Sequence, residues 1–220
     1  MTPKQTDYNI CVAIPAMDTC ATGFAVCLGS LARPAGRFAI RSICGSLIYD
    51  ARNKLAAEAI KLDADYVMWF DSDMIFQSDT LVRLLKTLEE KDADIVSGLY
   101  FRRSAPFTPV VFDSFEFDGT GAKWTDYTGE LSGVHEVGAV GFGCVLMKTD
   151  VLLDIFAKYG NPFSPLAGVG EDLSFCWRAR ELGYKVLLDA DVKLGHVGHV
   201  TVTEDMYKAL SGGKVYESKS

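Results

Sequence analysis

Tyr66-Val67-Met68-Trp69-Phe70-Asp71-Ser72-Asp73 is a run of five apolar residues that ends on two aspartates. A short continuous apolar run reads as a strand buried on both faces, the kind found in parallel sheets. On an extended chain residues i and i+2 face the same way, so both carboxylates converge beyond the strand's carboxyl end. That is where open α/β sheets bind their ligands. Two close carboxylates repel unless a cation stands between them. Mg²⁺ or Mn²⁺ suits oxygen ligands and commonly bridges to phosphates. A solvated turn with a helix cap is the alternative for Asp-Ser-Asp. Its place directly after the apolar run favours the metal.

Working outward from this strand, the first hundred residues alternate. Residues 9–14 read as a strand ended by Pro15, 19–32 as a helix, and 38–44 as a second strand. A helix over 47–62 carries Ala51, Leu55, Ala59 and Leu62 at helical spacing. After the 65–70 strand, Ser78 is expected to cap a helix over 79–90 with Leu81, Leu84, Leu85 and Leu88 on one face. Residues 94–100 form a fourth strand. Beyond it the pattern changes. Glycine-rich, strand-like pieces at 109–112, 115–117 and 134–140 favour antiparallel pairing. Helices follow over 149–158 and 171–182, then a strand over 185–189, then a polar tail. No linker or repeat interrupts the chain, so one α/β domain is expected over 1–220.

The composition agrees: 220 residues, 49% hydrophobic and 23% charged, exclude a disordered or coiled-coil chain. The net charge of −7 argues against general nucleic-acid binding. Seven of the nine arginines fall in residues 1–110, which places an anionic ligand there. The six cysteines form no C-x-x-C pair and mostly sit in apolar runs such as Cys144-Val145-Leu146-Met147. They read as free thiols in a reducing compartment, hence a cytoplasmic protein. Residues 10–32 are largely apolar, but Pro15, Asp18, Thr19, Thr22 and Gly23 interrupt them. Neither a signal peptide nor a stable membrane insertion is expected.

Four further groups of residues bear on chemistry. Gly170-Glu171-Asp172 opens an amphipathic helix, where acids serve either dipole compensation or catalysis. Gly195-His196-Val197-Gly198-His199 holds two of three histidines beside glycines, a ligand site or a structural pair. Arg52 lies in a helix near the first strands, and Arg102-Arg103 follows the fourth strand directly; arginines so placed suit a diphosphate. The glycines from Gly138 to Gly143 open no helix after an early strand, so they are no dinucleotide fingerprint. They imply bulges or a backbone pressed against a ligand.

Taken in order over about residues 9–200, these residues resemble family 2 glycosyltransferases with the A-type (GT-A) fold. The resemblance rests on Val12-Ala13-Ile14-Pro15, Ala51-Arg52-Asn53, Trp69-Phe70-Asp71-Ser72-Asp73, the Gly138–Gly143 stretch, Gly170-Glu171-Asp172 and Gly195-His196. It implies a central, mostly parallel mixed sheet flanked by helices. The donor would be a UDP- or GDP-linked sugar, its diphosphate gripped by a Mn²⁺ or Mg²⁺ ion on Asp71 and Asp73. Pro15, Ala16 and Asp18 would cradle the nucleotide, with Arg52, Ser72, Arg102 and Arg103 nearby. Glu171 and Asp172 would meet a hydroxyl acceptor, with Asp172 as the base of an inverting displacement. The chain would then divide into a nucleotide- and metal-binding half, about 1–100, an acceptor half, about 101–205, and a loose tail, 206–220.

The choice of histidine follows from parity as well as resemblance. His196 and His199, three apart, face opposite ways on an extended chain, so both cannot reach one ion. Val192 and Leu194 share the parity of His196 and should point inward. The family pattern also sets the ligand after the glycine, which selects His196. Two other functions compete. A sugar-1-phosphate nucleotidyltransferase would want a glycine-rich basic loop where this chain has Pro15-Ala16-Met17-Asp18-Thr19. A non-catalytic nucleotide- or sugar-binding module would be expected to have lost charged site residues that are all present here.

Overall fold

The computed structural model describes residues 7–198. His199 and the tail expected to be loose lie outside the described residues. The chain runs β1 (Tyr8–Ala16), α1 (Thr22–Gly29), β2 (Gly36–Cys44), α2 (Ile48–Lys61), β3 (Tyr66–Phe70), β4 (Met74–Ile75), α3 (Thr80–Glu90) and β5 (Ile95–Leu99). It continues with β6 (Val111–Phe117), β7 (Ala122–Asp126), β8 (Val134–Glu136), β9 (Ala139–Val140), β10 (Cys144–Lys148), α4 (Thr149–Tyr159), α5 (Glu171–Glu181), β11 (Val186–Lys193) and β12 (Gly195–His196).

Seven strands form the main sheet in the order β2-β1-β3-β10-β5-β11-β8. The strands β2, β1, β3, β5 and β11 share one direction, and β10 and β8 oppose them. The alternating residues of each strand feed two cores, one on each face. Cys11, Ala13, Val67, Trp69, Val145 and Met147 face one side with α2, α4 and α5. Ile10, Val12, Met68, Phe70, Val96 and Leu146 face the other with α1 and α3. All five residues of β3 are buried, as its unbroken apolar run requires.

The expected fourth strand does not pair with the third. The strand β10 lies between β3 and β5, antiparallel to both, with Val145 opposite Trp69 on one side and Ser97 on the other. Its apolar run Cys144–Met147 is buried on both faces, so it competes for a central place. The strand β1 also runs through Pro15 to Ala16, beyond the expected stop, and α1 is shorter than expected. The N-cap of α3 is Asp79, not Ser78, and no side chain caps it.

The glycines from Gly138 to Gly143 press on the protein itself. A Cβ at Gly138 would stand 2.5 Å from the Ser114 Cα, and one at Gly143 would stand 2.8 Å from the Tyr100 ring. At Gly141 it would collide with the Tyr100 hydroxyl. Tyr100 is thereby sealed against the segment that leads into β10, and its hydroxyl accepts the Gly143 N–H at 3.1 Å.

Candidate active site

At the carboxyl ends of β1 and β3 lies a cleft of about 390 Å³, lined among others by Pro15, Ala16, Asp71, Ser72, Asp73, Arg103 and His196. The β3 strand delivers Asp71 and Asp73 into it. The turn that carries them is tied to its neighbours: Asp71 N–H donates to the Gly143 carbonyl at 3.1 Å, and Ala21 N–H donates to the Ser72 carbonyl at 3.0 Å.

His196 arrives from far downstream in the chain by strand pairing. The strands β12 and β4 are antiparallel, with His196 opposite Met74, and Val197 N–H donates to the Asp73 carbonyl at 2.9 Å. The inward parity holds, because Val192 and Leu194 are 1% and 8% exposed. His196 Nδ1 lies 2.9 Å from the Phe101 carbonyl. A carbonyl only accepts, so Nδ1 carries a proton, and when the ring is neutral Nε2 turns a lone pair toward Asp73. That Nε2 stands 3.6 Å from Asp73 Oδ1, an electrostatic contact and longer than a hydrogen bond. The Asp73 carboxylate holds the imidazole above its ordinary value, against burial that would lower it. Burial pushes Asp73 upward, but His196 and Arg103 outweigh it and hold the carboxyl below its ordinary range. Arg103 Nη1 reaches Asp73 Oδ2 at 2.7 Å.

The second acidic group meets the first through Arg52. This side chain, 2% exposed, donates from Nη2 to Asp71 Oδ1 at 2.8 Å and from Nε to Glu171 Oε1 at 3.1 Å. Its guanidinium packs over the rings of Phe142 and Trp69, 5.3 and 5.8 Å from their centroids. Burial opposes its charge, and the Asp71 and Glu171 carboxylates overcome this and hold it firmly protonated. Asp172, at the first turn of α5, accepts the Leu173 N–H on Oδ1 at 2.8 Å. Burial, then the charge of Glu171, push its carboxyl up to about 6. Part of its surface still meets solvent, although it sits deep among protein atoms.

Three of the residues expected at the donor do not line the cleft. Asp18 sits in the exposed turn after β1 and does not line the cleft. Arg102 turns toward the β6–β7 hairpin, 3.9 Å from Asp126 and over the Phe112 ring. Arg52 is also no cleft-lining residue. Sequence reasoning missed Tyr100 and the Phe101 carbonyl. No motif marks a backbone acceptor, and Tyr100 looked like the end of a strand.

The donor set fits a divalent cation in part. Asp73 Oδ1 is buried and accepts no hydrogen bond. It and His196 Nε2 are two acceptors aimed at one region, which suits Mn²⁺ or Mg²⁺. Among the described residues no three His, Cys, Asp or Glu side chains converge as a ligand set. A cation here would complete its coordination from substrate oxygens and water.

A comparison with protein-family models matches residues 40–156, more than half of the chain, to glycosyl transferase family 2. The chain belongs to this family. The match includes Arg52, Asp71, Asp73 and Arg103, while Glu171 and His196 lie beyond it and join them in space. No curated protein matches the sequence. Among solved structures, A197 from STIV superposes with a TM-score of 0.58 at 16% identity, over 89% of this chain and 98% of that one. The structure of GalNAc-T7 with UDP, GalNAc and Mn²⁺ superposes with a TM-score of 0.61 at 10% identity, over 90% of this chain. This chain spans 45% of the GalNAc-T7 chain. At such identities the likeness shows the fold alone, and the fold is GT-A. The family 2 member is a glycosyltransferase, which sets aside the nucleotidyltransferase and the non-catalytic module. No helix among the described residues is long and apolar enough to cross a membrane.

Proposed function

We propose that this enzyme transfers a sugar from a nucleoside-diphosphate donor, UDP- or GDP-linked, to an acceptor hydroxyl by a single inverting displacement. The observation that carries the reading is the Arg52 bridge. It ties Asp71 at the end of β3 to Glu171 at the start of α5, next to Asp172, although a hundred residues separate them.

The donor diphosphate would lie along Pro15, Ala16 and Ser72, with Arg103 facing its charge. Asp73 and His196 would hold a divalent cation, with substrate oxygens and water completing its coordination. When bound, that cation supplies charge stabilisation to a departing diphosphate. The remaining chemistry falls to the protein. The Asp172 oxygen left free by Leu173 takes the proton of the acceptor hydroxyl. The hydroxyl oxygen bonds to the anomeric carbon as the bond to the diphosphate oxygen breaks, and the electron pair leaves with the diphosphate. Arg103 stabilises that charge. A base near pH 7 is most effective when its own value lies close by, and Asp172 is held at about 6.

The chain divides, on this reading, into a donor half ending near residue 100 and an acceptor half. The six free thiols support a reducing, cytoplasmic setting. The test is incubation with a panel of UDP- and GDP-sugars, Mn²⁺ and simple hydroxyl acceptors, with nucleoside diphosphate release as the readout. Release from one donor, lost in Asp172→Asn, supports the reading. No release from any donor contradicts it.

A further inference from the structure

Within Ala51-Arg52-Asn53, Arg52 is the residue expected near the donor nucleotide. Neither polar side chain lines the cleft. Arg52 reaches Glu171, the first residue of α5, and Asn53 Oδ1 accepts the Phe163 N–H at 2.9 Å. These contacts lie at the two ends of the 160–171 segment, which delivers Asp172. The segment is fastened again from α5: Arg178, 4% exposed, donates to the Pro162 carbonyl at 3.0 Å. Ser174 Oγ accepts the Leu166 N–H at 2.9 Å and donates to the Gly170 carbonyl at 2.8 Å. Between these ties Ala167 and Gly168 both hold positive φ, at 47° and 76°. A segment with so little regular structure keeps its shape through such ties.

We propose that Arg52 and Asn53 form a brace that sets the acceptor segment, residues 160–171, against the donor strand β3, with Arg52 as a positioning residue for the acid pair. Arg52 has two arms on two carboxylates from different halves, so moving either half moves the other's charge. Its aromatic packing and near-complete burial leave it no route to a diphosphate in the cleft. A planar fork is needed for this task, and a lysine ammonium satisfies only one arm. Asn53 supplies a neutral tie, so the two residues separate geometry from charge. The groups facing Asp172 are Glu171 and Cys176 on α5, Asp71 at the end of β3, Arg52 on α2 and Tyr100 after β5. Arg52 is the one cation among them.

The inference rests on Asp172 as the base of the proposed transfer, and it is tested with and without activity. Asn53→Ala, Arg52→Lys and Arg52→Gln are compared with wild type in the full chain. Hydrogen exchange should quicken about tenfold in residues 160–171 of Asn53→Ala and stay unchanged in β1 and β3. Affinity for UDP or GDP with Mn²⁺ should stay within about threefold in Asn53→Ala and Arg52→Lys, while transfer falls about tenfold or more. In Arg52→Gln the acidic limb of the pH–rate profile should move up by about one pH unit, and in Arg52→Lys it should stay in place. A loss of nucleotide affinity matching the loss of rate would make Arg52 a phosphate ligand and overturn the brace. Unchanged exchange and rate in Asn53→Ala would also overturn it. If wild type releases nucleoside diphosphate from no donor, the transfer reading fails, and the exchange arm still judges the brace.

Discussion

Asp73 Oδ1 and His196 Nε2 face each other across 3.6 Å, and the Phe101 carbonyl has already claimed the other ring nitrogen. With the ring neutral, neither atom has a proton to offer. Two lone pairs in that arrangement require a proton or a cation between them. His196→Ala should therefore raise the Mn²⁺ concentration needed for half-maximal nucleotide binding severalfold, while His199→Ala changes it little. Calorimetry at a series of Mn²⁺ concentrations measures both. The imidazole is held above its ordinary value, and only the neutral ring coordinates, so Mn²⁺ affinity should weaken as pH falls through the imidazole's raised range.

Asp172 carries the second expectation. Its carboxyl is raised from 3.8 to about 6. Only the ionised form accepts a proton, so kcat/KM should climb with pH and level off above about 6. The linkage runs the opposite way for stability. The folded state binds the proton more tightly than the unfolded chain, so this residue's contribution is fully present below about pH 4 and is lost as pH rises through 6. Asp172→Asn should cut transfer by about a hundredfold or more while raising stability at pH 7 by about 1–3 kcal/mol. Urea denaturation and rate measurements on the same sample check both signs. A variant that turns over at more than about a tenth of the wild-type rate would remove Asp172 as the base.

Tyr100→Phe tests the seal behind the cleft. The Gly143 N–H donates to the Tyr100 hydroxyl in a buried setting, and phenylalanine leaves that donor unpaired. The cost should be about 1–3 kcal/mol, read as a lower urea midpoint with an unchanged slope.

The thiols give a fourth expectation. All six cysteines are free; Cys20 and Cys44 are exposed, and Cys11, Cys144 and Cys176 are buried. Burial pushes the Cys11 thiol up to about 11 and Cys176 up to about 12. A thiol reagent should label Cys20 and Cys44 quickly in the native protein, with six groups reactive after unfolding without reductant. Fewer than six would reveal a disulfide and contradict the reducing compartment.

Much of this fold was legible because β3 is buried on both faces and has only one reading. The first three strands and α2 and α3 follow from periodicities that packing reinforced. The central strand β10 was not legible. Cys144–Met147 shows no alternation, and nothing local says that so short an apolar run inserts between β3 and β5. The site divides in the same way. Asp71 and Asp73 were visible as a strand end, and His196 as the histidine with the parity of Val192 and Leu194. Arg52 was visible only as a cation in a helix. Its partners lie in β3 and α5, and that geometry exists only after the two halves pack. Asp18 and Arg102 share the chemistry of the site, but the turn after β1 and the β6–β7 hairpin carry them away from it.

Titration of UDP and of GDP into the protein, in Mn²⁺ and again with the metal chelated, tests the account most directly. One nucleotide should bind in Mn²⁺, and its affinity should fall at least about tenfold on chelation. Asp73→Asn should show the same loss with the metal present and the fold intact. Equal affinity with and without the chelator would contradict a metal-held donor at Asp73 and His196.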